Sequence, residues 1–233
     1  DITFDSSNNK VVVAYLDYGD TKGRAAVGTV SGTSISFGSE VLFENADTRR
    51  TAITFDSTNN KVVIAYEDNG NSSYGTAIVG TVSGTSISFG TAVVFDSDNS
   101  NKMSATFDTN ANKVVTAYMD RGTDGSDQGT VITGSVSGTS ITFDTATEFD
   151  DSDVNAFACT FDSNSKRVAI AYADQGNSTY GTGIILTPIG IPEDLTIGQQ
   201  YFVQTDGTLG TSADSPSVIA GTAIGASDII VKG

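Results

Sequence analysis

The chain has 233 residues, 38% of them hydrophobic, with 25 Gly, 3 Pro, one Cys and no His. Only 17% are charged and the net charge is −16, which opposes binding to a nucleic-acid backbone or an anionic membrane surface. No apolar run reaches the length of a membrane helix, and the absence of His excludes a His-based triad or a His metal site. Ser, Thr, Asn and Gly stand in for the missing charges, as on an extracellular β protein. The first residue, Asp1, is no Met and lies inside a β-type run, so a natural start upstream is expected.

Thr3-Phe4-Asp5 opens the chain, followed by Ala14 to Asp17 (Ala-Tyr-x-Asp) and by Val-Ser-Gly-Thr-Ser-Ile from Val30. The triplet returns at Thr54, Thr106 and Thr160, at spacings of 51, 52 and 54 residues. Ala-Tyr-x-Asp returns at Ala65, Ala117 and Ala171, and the hexapeptide at Val82 and Val136. Three ordered anchors in register define a tandem repeat of about fifty residues. In the second copy, Thr51–Asp56 alternates apolar and polar residues, and Lys61–Glu67 is rich in Val, Ile and Tyr. Thr76–Val82 follows, then Ser86–Phe95, broken by Gly90. Each run has strand length and β-type composition. Asp56–Lys61 is an Asx-type turn and Ser83-Gly84 supplies a hairpin's positive φ.

Four antiparallel strands at this period predict an all-β fold, a β-propeller, with blades at about 1–50, 51–102, 103–155 and 156–188. A solenoid would use shorter rungs, and tandem sandwiches about 100 residues each. The fourth copy stops after Tyr180–Leu186 and lacks the hexapeptide and the outermost strand. Its open edge is expected to be covered by upstream sequence, the tail or a neighbouring chain. Residues 189–233 change character and predict a small C-terminal β module of three or four short strands with a turn at Asp206-Gly207. Too short for an independent core, it is expected to pack on the propeller or assemble with copies of itself. Cys159, in an apolar stretch, reads as a small buried core residue. Phe4, Phe55, Phe107 and Phe161, with Tyr15, Tyr66, Tyr118 and Tyr172, recur at fixed positions and read as core.

The repeat best preserved at Asn60–Gly90 resembles repeats in structural proteins of marine bacteriophages. The tail, Gln-Tyr-Phe-Val-Gln-Thr-Asp-Gly-Thr-Leu ending in Ile-Ile-Val-Lys-Gly, is similar to a module that closes many phage tail-fibre and appendage proteins. The resemblance implies a virion component, a tail fibre, spike or capsid/neck appendage, which touches other virion proteins and a host-surface glycan; the open edge of the fourth repeat adds the expectation of a homo-oligomer. It implies a virion or extracellular location and transfers no catalytic residue. The alternative is a bacterial secreted or surface adhesin or glycan-binding propeller, and after it a polysaccharide depolymerase.

Comparison among the copies locates the variation. The first-to-second turns and the hexapeptide turns are nearly constant, whereas the second-to-third loops and the inter-blade segments Glu44–Arg50, Asp96–Lys102 and Asp150–Asn155 differ. In a propeller these variable pieces share one face, so the ligand-binding candidates are Arg49, Arg50, Asn69, Asn71, Tyr74, Arg121, Asp124, Gln175, Asn177 and Tyr180. Tyr74 and Tyr180 could stack on sugar rings. Asp-x-Gly at Asp17, Asp68, Asp120 and Asp174 suggests Ca2+, but supplies too few oxygens, and bonding to the backbone of its own turn explains it as well. No cofactor and no enzymatic activity are expected: the five arginines are scattered, and no spacing singles out a carboxylate pair.

Overall fold

A computed structural model describes residues 1–122 and 125–186, together with the backbone of four short strands beyond them. The chain divides into two compact units, Asp1–Ile185 and Leu186–Gly233. All sheets are antiparallel, and the described residues contain no α-helix, only a 3-10 turn at Asn69–Asn71.

The first repeat is a meander of β1 (Ile2–Asp5), β2 (Lys10–Asp17) and β3 (Lys22–Ser31), closed on the outside by β4 (Ser34–Phe37) and the start of β5 (Val41–Asp56). The second continues with β6 (Lys61–Asp68), β7 (Tyr74–Ser83), β8 (Ser86–Phe89) and the start of β9 (Val93–Asp108). The third adds β10 (Lys113–Arg121), β11 (Asp127–Ser137), β12 (Ser140–Phe143) and β13 (Thr147–Asp150). The fourth holds only β14 (Val154–Asp162), β15 (Arg167–Asp174) and β16 (Tyr180–Ile185). An outer strand is thus absent from the fourth repeat among the described residues.

Turn chemistry sets these boundaries. Asp5 Oδ1 accepts from the Ser7 and Asn8 N–H groups, Asp56 from Thr58 and Asn59, Asp108 from Asn110 and Ala111, and Asp162 from Asn164. Gly84 sits at φ 62°, with Gly32 and Gly138 alike, where a side chain would be strained.

The segments Glu44–Arg50 and Asp96–Lys102 are not loops, contrary to the sequence reading. They run inside the 16-residue strands β5 and β9. The first part of β5 pairs with β3 (Val41 opposite Ala25) and the last with β6 (Asp56 opposite Lys61). A bulge makes the handover possible: Arg50 and Lys102 take left-handed φ of 52° and 49°, and the β5 register slips between Arg49 and Ala52. Ala156 adopts the same conformation, φ 53°, but there β13 and β14 are separate strands.

Successive sheets stack face to face, and each has two unlike faces. One carries large side chains: Ile53, Phe55, Val62, Ile64 and Tyr66 in the second repeat. That face packs on Val12, Ala14, Ala25 and Val27 of the first repeat. The opposite, small-residue face (Ala52, Val63, Ala65, Ala77, Val79) receives Phe107, Val114, Tyr118 and Ile132 of the third repeat. Glycine marks where the next hairpin arrives: a Cβ at Gly38 would lie 2.0 Å from Thr85 O, and one at Gly90 1.9 Å from Thr139 O. The third repeat has Asp144 at this position, and no fourth hairpin exists among the described residues to approach it. Asp144 instead accepts from Lys113 and Thr133.

The core assignment of the repeated aromatics holds for Tyr66, Tyr118, Tyr172, Phe55 and Phe107 and fails for Phe4. Phe4 is 53% exposed, where Phe55 is 9% exposed, because no sheet among the described residues covers its face. Tyr15, Phe161 and Cys159 are half-buried; Cys159 N–H and Sγ both lie against Ser104 Oγ. The second unit contains β17 (Gln200–Val203), β18 (Leu209–Gly210), β19 (Val218–Ala223) and β20 (Ile229–Ile230), in the order β18-β17-β19-β20. The predicted turn at Asp206-Gly207 lies outside the described residues.

Candidate functional site

The variable segments meet along one edge of the first unit, because each junction is bonded to the loops beside it. Thr48 N–H donates to Thr21 O at 3.0 Å, Ser100 N–H to Ser73 O at 3.0 Å, and Gln175 N–H to Asp153 O at 2.8 Å. Gly70 is close enough to the first junction that a Cβ would fall 2.3 Å from Ala46 Cβ. The opposite edge is bonded differently, turn to equivalent turn: Ser7 Oγ donates to Asn60 Oδ1, and Thr58 Oγ1 to Asn112 Oδ1.

Two grooves open on the variable edge. The first, of about 410 Å³, is lined by Leu16, Tyr18, Thr21, Asp47, Arg49 and Arg50. The second, of about 280 Å³, is lined by Arg50, Lys102, Met103, Asn155, Ala156 and Phe157. Arg50 lines both, and the second groove gathers the left-handed residues of three successive junctions: Arg50, Lys102 and Ala156. Sequence reasoning picked out Arg49 and Arg50 but not Lys102 as a ligand residue, nor Tyr18, which is almost fully exposed. A signal was present: Arg50, Lys102 and Ala156 each stand four residues before the Thr of Thr-Phe-Asp.

Charge is distributed unevenly among these groups. Arg49 donates to Asp47 at 3.0 Å. That bond, with a second from Asn69, holds the Asp47 carboxyl below its ordinary value. Arg50 and Lys102 form no ion pair among the described residues. They are therefore the junction cations whose charge is not already spent on a partner. Glu67, buried nearby, has its carboxyl pushed up by desolvation, against the pull of Ser73, Arg49 and Arg50.

The acids of the junctions have structural work. Glu44 accepts from the N–H groups of Asn45 and Ala46 and from Tyr66 OH at 3.0 Å. Asp150 accepts from Ser152 N–H and from Tyr172 OH at 2.8 Å. Asp96 accepts from Asp98 N–H and Ser100 Oγ, and Tyr118 bonds to it as well. Burial, followed by the adjacent carboxylates, raises the pKa of all three phenols. Each junction is thus pinned to its own sheet by a tyrosine–carboxylate bond.

The remaining predicted residues do not converge on these grooves. Asn69 bridges Asp47 and Ser73. Asn71 and Asn177 donate their backbone N–H groups to Asp68 and Asp174. Arg121 donates from Nε and Nη2 to the two carboxylate oxygens of Asp127. Tyr74 is half-buried in its ladder, whereas Tyr180 and Gln175 are exposed on the fourth repeat. Asp124 lies outside the described residues.

Three of the four Asp-x-Gly carboxylates act in their own turns: Asp17 accepts from Gly19 N–H, and Asp68 and Asp174 accept as stated. Gly19's bond, more than Arg24's, keeps Asp17 below its usual range. Among the described residues, the acids that come together are Asp96, Asp98 and Asp120, with oxygens within 4.8 Å of one another. Three carboxylates fall short of the six or more oxygens that Ca2+ takes, and Asp96 already serves Ser100 and Tyr118. No protein-family model and no curated protein matches this chain, so the grooves are read from their own chemistry.

Proposed function

We propose that the chain is a non-enzymatic virion component, a phage tail fibre, spike or capsid/neck appendage, that uses its variable edge to attach to a host-surface glycan bearing acidic groups. The carrying observation is the pairing of Arg50 and Lys102 in one groove. Both are left-handed, both stand at the same offset in the repeat, and neither has an ion-pair partner among the described residues. Non-Gly residues at positive φ cost free energy and tend to persist where a side chain must be aimed. The net charge of −16 works against an anionic ligand at long range, but at groove distance these two cations attract an acidic group, and exposed Tyr18 beside Arg50 offers a ring for a sugar face. The propeller architecture belongs to this reading: four-stranded meanders stacked in chain order, with the variable pieces along one edge, support it.

Binding of the purified chain to immobilised alginate, heparin and neutral dextran tests the reading. The acidic polymers should bind and dextran should not, with affinity falling as salt rises. Arg50→Ala and Lys102→Ala should each weaken binding about tenfold or more, the scale of a lost charge-assisted hydrogen bond, with an unchanged melting temperature. Equal binding by the double variant would remove this edge from the function. Shortening of the polymer during incubation would make the chain a depolymerase instead.

A further inference from the structure

The first and fourth repeats each leave one sheet face without a partner inside the first unit, and the two faces are of opposite kind. The first repeat exposes its large-residue face: Ile2 is 58% exposed, where its counterpart Ile53 is 3%. Phe4 and Val30 are exposed with it, and Val13 is half-buried. The fourth repeat exposes its small-residue face: Ile185 is 60% exposed, where Val79 is 1%, and Ala158 and Ala171 are exposed alongside. The counterparts of these seven positions in the inner repeats are the ones that meet in the interior, where the large face of one repeat seats on the small face of the one before. A shallow apolar hollow of about 450 Å³, lined by Ala158, Ala169, Ala171, Gly183 and Ile185, marks the free small face.

We propose that these faces dock head to tail between two copies of the chain, the large face of one copy's first repeat on the small face of the other's fourth. What would cover each face is given by the interior: the same contact is already made twice between neighbouring repeats, first to second and second to third, so the new interface continues an existing one. Exposed contiguous apolar faces of this kind mark interaction surfaces. The contact is heterologous, because each copy offers one of each face, and so it propagates into a ring or a filament rather than stopping at a pair. It is independent of glycan attachment, since it uses the flat faces of the end sheets and neither groove.

Sedimentation of the whole chain across a micromolar concentration series tests it. The wild-type mass should rise with concentration beyond a dimer. Phe4→Asp spoils only the large face and Ala171→Arg only the small face, and both side chains are exposed, so each variant should fold and remain a monomer alone. Mixed in equal amounts, they should form a dimer and nothing larger, since one sound face of each kind remains. Ile2→Asp and Ile185→Arg provide a second pair with the same expectation. A wild type that stays monomeric throughout, whether because the tail covers a face or the two faces close on each other within one chain, overturns the proposal. So does association of either single variant as strong as that of the wild type.

Discussion

Phe55 in the second repeat and Phe4 in the first occupy the same place in the same Thr-Phe-Asp motif. Phe55 lies in the core between two sheets, whereas Phe4 faces outward. The fourth repeat repeats the contrast on its other face, where Ile185 is exposed and its counterpart Val79 is sealed. Burial here is therefore a property of adjacency and not of the motif. Each repeat contributes a sheet, but a core forms only between two of them. Stability should then follow the interfaces between neighbours, as in other repeat arrays.

The largest effect that could break this comparison is at Phe55. Phe55→Ala should lower the unfolding free energy by about 3–5 kcal/mol. Phe4→Ala, measured in dilute solution, should stay within about 0.5 kcal/mol of wild type. Equal losses in a urea titration would mean that both faces are covered. Next comes the glycine at the hairpin contact: Gly90→Ala should cost about 1–3 kcal/mol, because the new methyl group meets Thr139 O. Asp144→Ala, at the equivalent third-repeat position, should cost only its bonds to Lys113 and Thr133. A smaller contrast tests the pinned junctions. Tyr66→Phe, in the core, should cost about 1 kcal/mol by removing the bond to Glu44 Oε2, while Tyr15→Phe, whose bond to Glu40 is exposed, should barely register in thermal melts.

The smallest effect is a pH dependence. Burial raises the folded-state pKa of Glu67 above its unfolded value, so the folded chain holds that proton more tightly. Its contribution favours folding below the unfolded pKa and is lost as pH rises through the folded one. Glu67→Gln should therefore be more stable than wild type near pH 7, and the advantage should shrink towards pH 4. Paired melts at the two pH values measure it; a constant difference would remove the titration of Glu67 as its cause.

Much of the architecture was legible. The Asp of Thr-Phe-Asp turns the chain where an Asx residue should, and Gly84 takes the positive φ that its hairpin requires. The two-faced character of the sheets was written at Ile53/Phe55 against Ala52 and at Ile64/Tyr66 against Val63/Ala65, but strands covered on both sides read as continuous apolar runs. The through-running strands were hidden for another reason. Glu-Asn-Ala-Asp-Thr-Arg-Arg (44–50) is polar and turn-prone, and it is extended because ladders on both sides hold it. The edge that carries the grooves was legible as variation among copies. Arg50 was among the residues picked out, but its grouping with Lys102 was not legible, because only the bulge brings residues of separate junctions to one groove.

The shared strands β5 and β9 also decide how this array can come apart. A boundary between a folded and an unfolded repeat cannot fall at the first or second junction without cutting one strand out of two ladders at once. The first three repeats should thus open as a single cooperative block. The third junction is interrupted at Asp151–Asp153, between β13 and β14, so no strand crosses it. The fourth repeat can detach there alone, and its amides should exchange with solvent ahead of the others.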